Sequence, residues 1–312
     1  MDKKARIALL SVGSNTLLTF GKFTAGIAMN SVAVFSEALH SGIDLLASLV
    51  AFASVRQSAK PADEQHQFGH GKFENIASIA EALLILLAAS LIIHNAVQKL
   101  LHPEPVEALG LGAVLMGVSA VVNLVVSQVL MKTARETDSP ALAADAWHLR
   151  TDVYTSLGVF LGIGIIHFTG RTIADPLVGI AVALLILKAA FDLIRESMFS
   201  LLDVRLPEAE ETIIREILDK FKDEYVEYHD LRTRRAGGER HVDLHLVLPY
   251  DMTVAEGNAL VGRIEAAIQR RLPRTYVLIS TDPCRVECEA CRQECKPPDA
   301  LPESGRPTGN HG

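Results

Sequence analysis

The chain has 312 residues, of which 49% are hydrophobic and 21% charged, with a mean hydropathy of +0.25. That is too apolar for an ordinary soluble domain and too charged for a chain wholly in lipid, so it implies a membrane part and a polar part. A net charge of −7 and a pI near 5.9 offer no basic surface for nucleic acid.

Apolar residues concentrate before residue 202, in six segments near 7–29, 33–56, 76–100, 108–132, 141–168 and 174–201. Each can cover a bilayer core, which takes roughly 20 helical residues. Met1–Arg6 leads into the first segment without a small-residue cleavage site, so that segment reads as a span and not a signal peptide. Six spans place both termini on one side. Lys3, Lys4 and Arg6, then Arg56, Lys60 and Lys72, then Lys132 and Arg135 lie on that side, which the positive-inside rule makes cytoplasmic. Within the spans, Lys22 and Lys188 are expected to snorkel or to meet a carboxylate, and Glu81 to face the bundle or the interface.

After Leu202 the pattern changes. A helix near 208–222, strands at 226–233 and 240–248 joined by Ala236-Gly237-Gly238, a helix at 253–272 and a strand at 276–280 give the order αββαβ, a small α+β domain. The expected division is a six-helix transmembrane domain over 1–202, a cytoplasmic αββαβ domain over 203–284 and a flexible, Pro-rich tail over 285–312.

Two segments repeat one pattern, acid-Ala-x-His-x-x-x-Asp: Glu37 to Asp44 in the second span and Asp145 to Asp152 in the fifth. His40 and Asp44 share one helical face, as do His148 and Asp152. Two such helices facing each other supply two nitrogens and two carboxylates, a first shell for a tetrahedral dication, zinc above all. Charge favours this reading: two intramembrane carboxylates repel, and Zn²⁺ neutralises both. Histidine must be neutral to ligate and titrates in the physiological range. Protons can therefore displace the metal, which points to Zn²⁺/H⁺ antiport by alternating access. Glu37 and Asp145, three residues before each histidine, are candidates for supporting the ligands or passing protons, or for facing the helix mouth.

All four cysteines fall near the C-terminus. Cys284, Cys288, Cys291 and Cys295, at offsets of 0, 4, 7 and 11, would line one helical face. They could bind zinc or another soft metal, or stay a reduced, flexible tail; their clustering does not suggest a secreted disulfide scaffold.

Together the paired His/Asp helices, the loop Pro61-Ala62-Asp63-Glu64-Gln65-His66-Gln67-Phe68-Gly69-His70-Gly71-Lys72 and the strand start His229-Asp230-Leu231-Arg232 resemble the cation diffusion facilitator family, from the first span to Cys284. The resemblance implies a transporter and not an enzyme: a homodimeric, proton-driven exporter of divalent metals in the cytoplasmic membrane, with six transmembrane helices and an αββαβ domain. It implies a second metal site on Asp63, His66 and His70. It also implies a Lys72–Asp203 salt bridge tying membrane helices to the cytoplasmic domain across the dimer, and a cytoplasmic metal site at His229, His245 and Asp282. Here the chain departs from the family, since Ser280 and Asn258 stand where ligating histidines are expected. Many bacterial members carry Asp at the position of His40, and two His with two Asp is the zinc pattern. The alternatives are the same architecture moving Co²⁺, Cd²⁺, Fe²⁺ or Mn²⁺, and a membrane metal sensor that does not transport.

Overall fold

The computed structural model describes residues 2–28, 32–102, 110–169 and 173–284. The Cys288, Cys291 and Cys295 part of the tail lies outside the described residues, as does the side chain of Glu37. The chain divides into two compact units, one of Met1–Val204 with Arg235–Glu239 and one of Arg205–Arg234 with Arg240–Gly312.

The first unit is six helices: α1 (Lys3–Ala28), α2 (Val32–Ser58), α3 (Lys72–Leu101), α4 (Gly110–Thr137), α5 (Pro140–Thr169) and α6 (Ala174–Leu201). Each expected span falls on one helix. At 26–30 residues and about 1.5 Å per residue, every one exceeds the ~30 Å hydrocarbon core. Among the described residues, Lys72–Leu101, Val114–Thr137 and Pro176–Leu201 are apolar enough to cross a membrane by composition alone. Two helices begin four residues earlier than hydropathy suggests, α1 at Lys3 and α3 at Lys72, because their first turns are polar and carry no apolar signal.

Small residues let the helices approach closely, as in membrane bundles generally. Ala82, Ala89, Ala144 and Ala190 are fully buried, with Ile85 and Ile186 filling the space among α3, α5 and α6. Gly158 of α5 is a close approach: a Cβ there would stand 3.1 Å from the Val182 side chain of α6. Large apolar groups such as Leu17, Phe20, Leu87 and Phe191 point outward, the face a lipid solvent requires. Lys188 is exposed, whereas Lys22 is 6% exposed and Glu81 1%.

One end of this bundle is tied by charge. Glu74, in the first turn of α3, is buried and accepts from Lys4 Nζ of α1 (2.6 Å), Ser58 Oγ of α2 (2.5 Å) and Ser139 Oγ in the α4–α5 turn. Lys3 pairs with Glu136 of α4 at the same end. Ser197 donates to Ser78, joining α6 to α3 (2.9 Å).

The second unit holds α7 (Glu208–Asp219), α8 (Val254–Arg271) and the sheet β1 (Glu227–Ala236), β2 (Glu239–Leu248), β3 (Thr275–Pro283), in the order β1-β2-β3. α7 ends three residues before the expected 222. Lys220 and Phe221 close it with tight i→i+3 bonds to Ile217 and Leu218. β2 and β3 pair in parallel, as a helical crossover requires. That pairing carries β3 on through Asp282 to Pro283, beyond the expected 280. Val242, Leu244 and Leu246 alternate into a core with Ile214, Leu218, Leu260 and Ile264, which leaves Asp243 and His245 on the other face. A capping box on Thr253 and Glu256 starts α8.

Glu74→Ala should leave the half-buried Lys4 without its acceptor and destabilise the first unit by about 3 kcal/mol. Thermal melting of the full chain in detergent is expected to show a clearly lowered midpoint; an unchanged midpoint would remove this role for Glu74.

Candidate metal centres

The repeated His/Asp pattern brings α2 and α5 to one point. His148 Nε2 lies 3.1 Å from Asp44 Oδ1, and His40 Nε2 lies 3.9 Å from the same oxygen. Ligand atoms of His40, Asp44 and Asp152 lie within 4.8 Å of one another. Tetrahedral ligands at about 2.0–2.1 Å from zinc stand roughly 3.3 Å apart, so His40, Asp44 and Asp152 need only small adjustments to share one ion, while His148 joins the cluster through Asp44. Asp44 and His148 are buried, Asp152 is partly buried, and His40 is exposed.

Two supporting residues have no counterpart in the motif. Asn123 of α4 donates through Nδ2 to Asp152 Oδ2 (3.2 Å) and fixes that carboxylate. Lys22 of α1 donates to Ser41 Oγ (2.8 Å), next to His40 in the chain. The only sequence signal for Asn123 is a lone amide in an apolar helix. A cavity of about 110 Å³ opens on the site, lined by α1, α2, α4 and α5, with Lys22, His40, Asp44, Asn123 and Asp152 among its walls.

Asp145 lies one turn before His148 and is fully buried. Neither its carboxylate oxygens nor those of Glu81 reach a hydrogen-bond partner among the described residues, and Ser11 faces Asp145 without bonding geometry. The Nδ1 of His148 is likewise without a partner there.

The loop between α2 and α3 assembles a second group. Asp63 Oδ1 accepts from the backbone N–H of Gln65 (3.0 Å) and His66 (2.6 Å) and faces His66 Nδ1 (3.2 Å), while Oδ2 faces His70 Nε2 (3.2 Å). The His66 and His70 rings are 4.4 Å apart and all three ligand atoms fall within 4.8 Å. Gly69 allows the path between them, with φ of +80°, a region that disfavours side chains. Donation from the His66 backbone holds the Asp63 carboxyl below the usual aspartate value; desolvation opposes it, and the other bonds from His66 and Gln65 add to the lowering. Asp63 thus stays an anion wherever the histidines can ligate.

On the sheet, His245 Nδ1 is 2.9 Å and His229 Nε2 3.5 Å from the same Asp282 oxygen, and the two rings stack at 5.2 Å. Ser280 is the register partner of His245, so a hydroxyl occupies the neighbouring position, and Asn258 is exposed on α8. Cys284 is buried, and its backbone N–H donates to Leu248 O (2.9 Å). Lys72 Nζ meets Asp203 Oδ1 at 2.9 Å within one chain and within the first unit, where it ties the start of α3 to the residues after α6.

Long helices with apolar outer faces, and two His/Asp pairs that meet beside a polar cavity, define a multi-pass membrane protein that handles cations. Residues 8–202 match the cation efflux transmembrane domain, and residues 206–284 match the cytoplasmic domain of cation efflux proteins. The chain belongs to the cation diffusion facilitator family and is a cation efflux transporter. It is 36% identical over 277 residues to an uncharacterized transporter of Synechocystis sp., covering 88% of this chain and 89% of that one. It is 32% identical over 283 residues to the cation-efflux pump FieF of Klebsiella pneumoniae (91% and 93% covered) and 31% identical over 282 to that of Escherichia coli K12 (90% and 93%).

Asp63→Asn should lower zinc bound by the full chain at pH ~7 by about one equivalent, measured by equilibrium dialysis. The Asp63 carboxylate has a depressed value, so its contribution is present above the ordinary 3.8 and lost only as pH falls below it.

Proposed function

We propose that this protein exports Zn²⁺ from the cytoplasm in exchange for protons, as a homodimer in the cytoplasmic membrane with both termini cytoplasmic. The observation that carries the reading is the meeting of His148, His40 and Asp44 on a single carboxylate oxygen, with Asp152 alongside. Two neutral imidazoles and two carboxylates match the charge and ligand preference of zinc. The larger Cd²⁺ fits a tight nitrogen-rich tetrahedron less well.

The cycle follows from the ligands. A proton on either imidazole removes a lone pair from the metal and adds a repelling charge, so protons arriving from the outer face expel the ion. Reorientation of the helices returns the site to the cytoplasm, where a new ion displaces the protons. In this reading residues 1–202 carry the translocation path and 203–284 the dimerising, metal-responsive domain. Asp63, His66 and His70 hold a loop ion, and His229, His245 and Asp282 hold a cytoplasmic one. Lys72–Asp203 stiffens the junction after α6.

Proteoliposomes with an imposed pH gradient should accumulate ⁶⁵Zn, and Asp44→Asn or Asp152→Asn should reduce the rate by at least about 100-fold. His40→Asp should admit Cd²⁺. Uptake indifferent to the pH gradient would overturn antiport. A His40→Asp protein that still rejects Cd²⁺ would overturn the account of selectivity.

A further inference from the structure

Lys22 is a cation built into the wall of a cation site. It sits on α1, 6% exposed, so its ammonium does not reach out of the bundle as a snorkelling lysine would. Its Nζ donates to Ser41 Oγ at 2.8 Å, and Ser41 is held in turn by Thr19, whose hydroxyl donates to the Ser41 carbonyl at 2.8 Å. Ser41 falls between His40 and Asp44 on α2. Lys22, His40, Asp44 and Asp152 line the same cavity of about 110 Å³, with Lys22 within electrostatic reach of Asp152.

We propose that Lys22 is the resident counter-cation of the transport site. Its ammonium offsets Asp44 and Asp152 between transport events and keeps the site's affinity for metal low enough for release. The inference rests on the transport-site reading above. With both imidazoles neutral, two carboxylates and one ammonium leave the metal-free site at −1, which is far cheaper to hold in an apolar bundle than −2. When a dication binds, the same three groups and the ion sum to +1, so the bound state carries an excess of positive charge. Repulsion between metal and ammonium is weakly screened at such a depth, and it opposes tight binding. Ser41 sets the strength of this effect. It gives the ammonium a neutral acceptor beside the ligands, which competes with the carboxylates for it.

A lysine that only stapled α1 to α2 would lose affinity for metal when removed, along with the geometry of α2. A counter-cation acts with the opposite sign. Zinc binding to the full chain in lipid nanodiscs, followed by calorimetric titration with ZnCl₂, separates the two. The transport site is isolated as the component absent from Asp152→Asn. Lys22→Met should bind about tenfold tighter at that site and turn over more slowly in proteoliposomes, while Lys22→Arg stays near wild type. Ser41→Ala should bind several-fold weaker, since the ammonium then settles on the carboxylates. Lys22→Met with unchanged or weaker affinity overturns the proposal, as does Lys22→Arg shifting in step with Lys22→Met. Should Lys22→Met fail to fold, Ser41→Ala decides alone: unchanged or tighter binding overturns the proposal and weaker binding supports it. If wild type and Asp152→Asn bind zinc identically, the transport-site assignment fails first, a result distinct from an inert Lys22.

Discussion

Two carboxylates placed inside an apolar helix bundle set the terms for the rest of the first unit. Asp44 and Asp152 stand close together where water is scarce, and such a pair persists only with positive charge or strong donors around it. The surroundings supply both. His148 and His40 converge on one oxygen of Asp44, Asn123 steadies Asp152, and Lys22 is held beside them by Ser41. Each donor comes from a different helix or turn, so the charge problem of the acids organises α1, α2, α4 and α5 around a single cavity.

The three candidate metal centres differ in burial. In the proposed transport site Asp44 and His148 are buried, so charge balance weighs most there. The loop group is built around an exposed carboxylate that the His66 backbone keeps ionised, with His70 buried behind it. The sheet group rests on two stacked imidazoles sharing Asp282 at a partly exposed face. Ser280 and Asn258 leave it fewer nitrogens to offer than its relatives' pattern implies.

Much of this was legible in the chain itself. The six helices follow from hydropathy, and the His/Asp sites from a four-residue spacing repeated in two spans, because an α-helix turns such spacing into one face. The αββαβ order followed from the change of pattern after Leu202 and the turn Ala236-Gly237-Gly238 between two strands. What was not legible depends on which helix faces which. Asn123 reads as an isolated amide until α4 packs on α5, and Lys22 reads as a snorkelling residue until Ser41 is placed beside it. Glu74 looks like an ordinary first-turn acid, favourable to the helix dipole. Its partners Lys4, Ser58 and Ser139 are 70, 16 and 65 positions away, and no local pattern links them.

That carboxylate has a mechanical corollary. α1, α2 and the α4–α5 turn all grip the one anion that α3 carries, each through a short charge-assisted bond. Parting any one of them withdraws a donor from a buried ion and makes the remaining grips more costly to keep, so they let go as a set. The bundle at this end therefore behaves as a snap fastener: it is closed or it is undone, and a half-parted geometry is the least stable of the three.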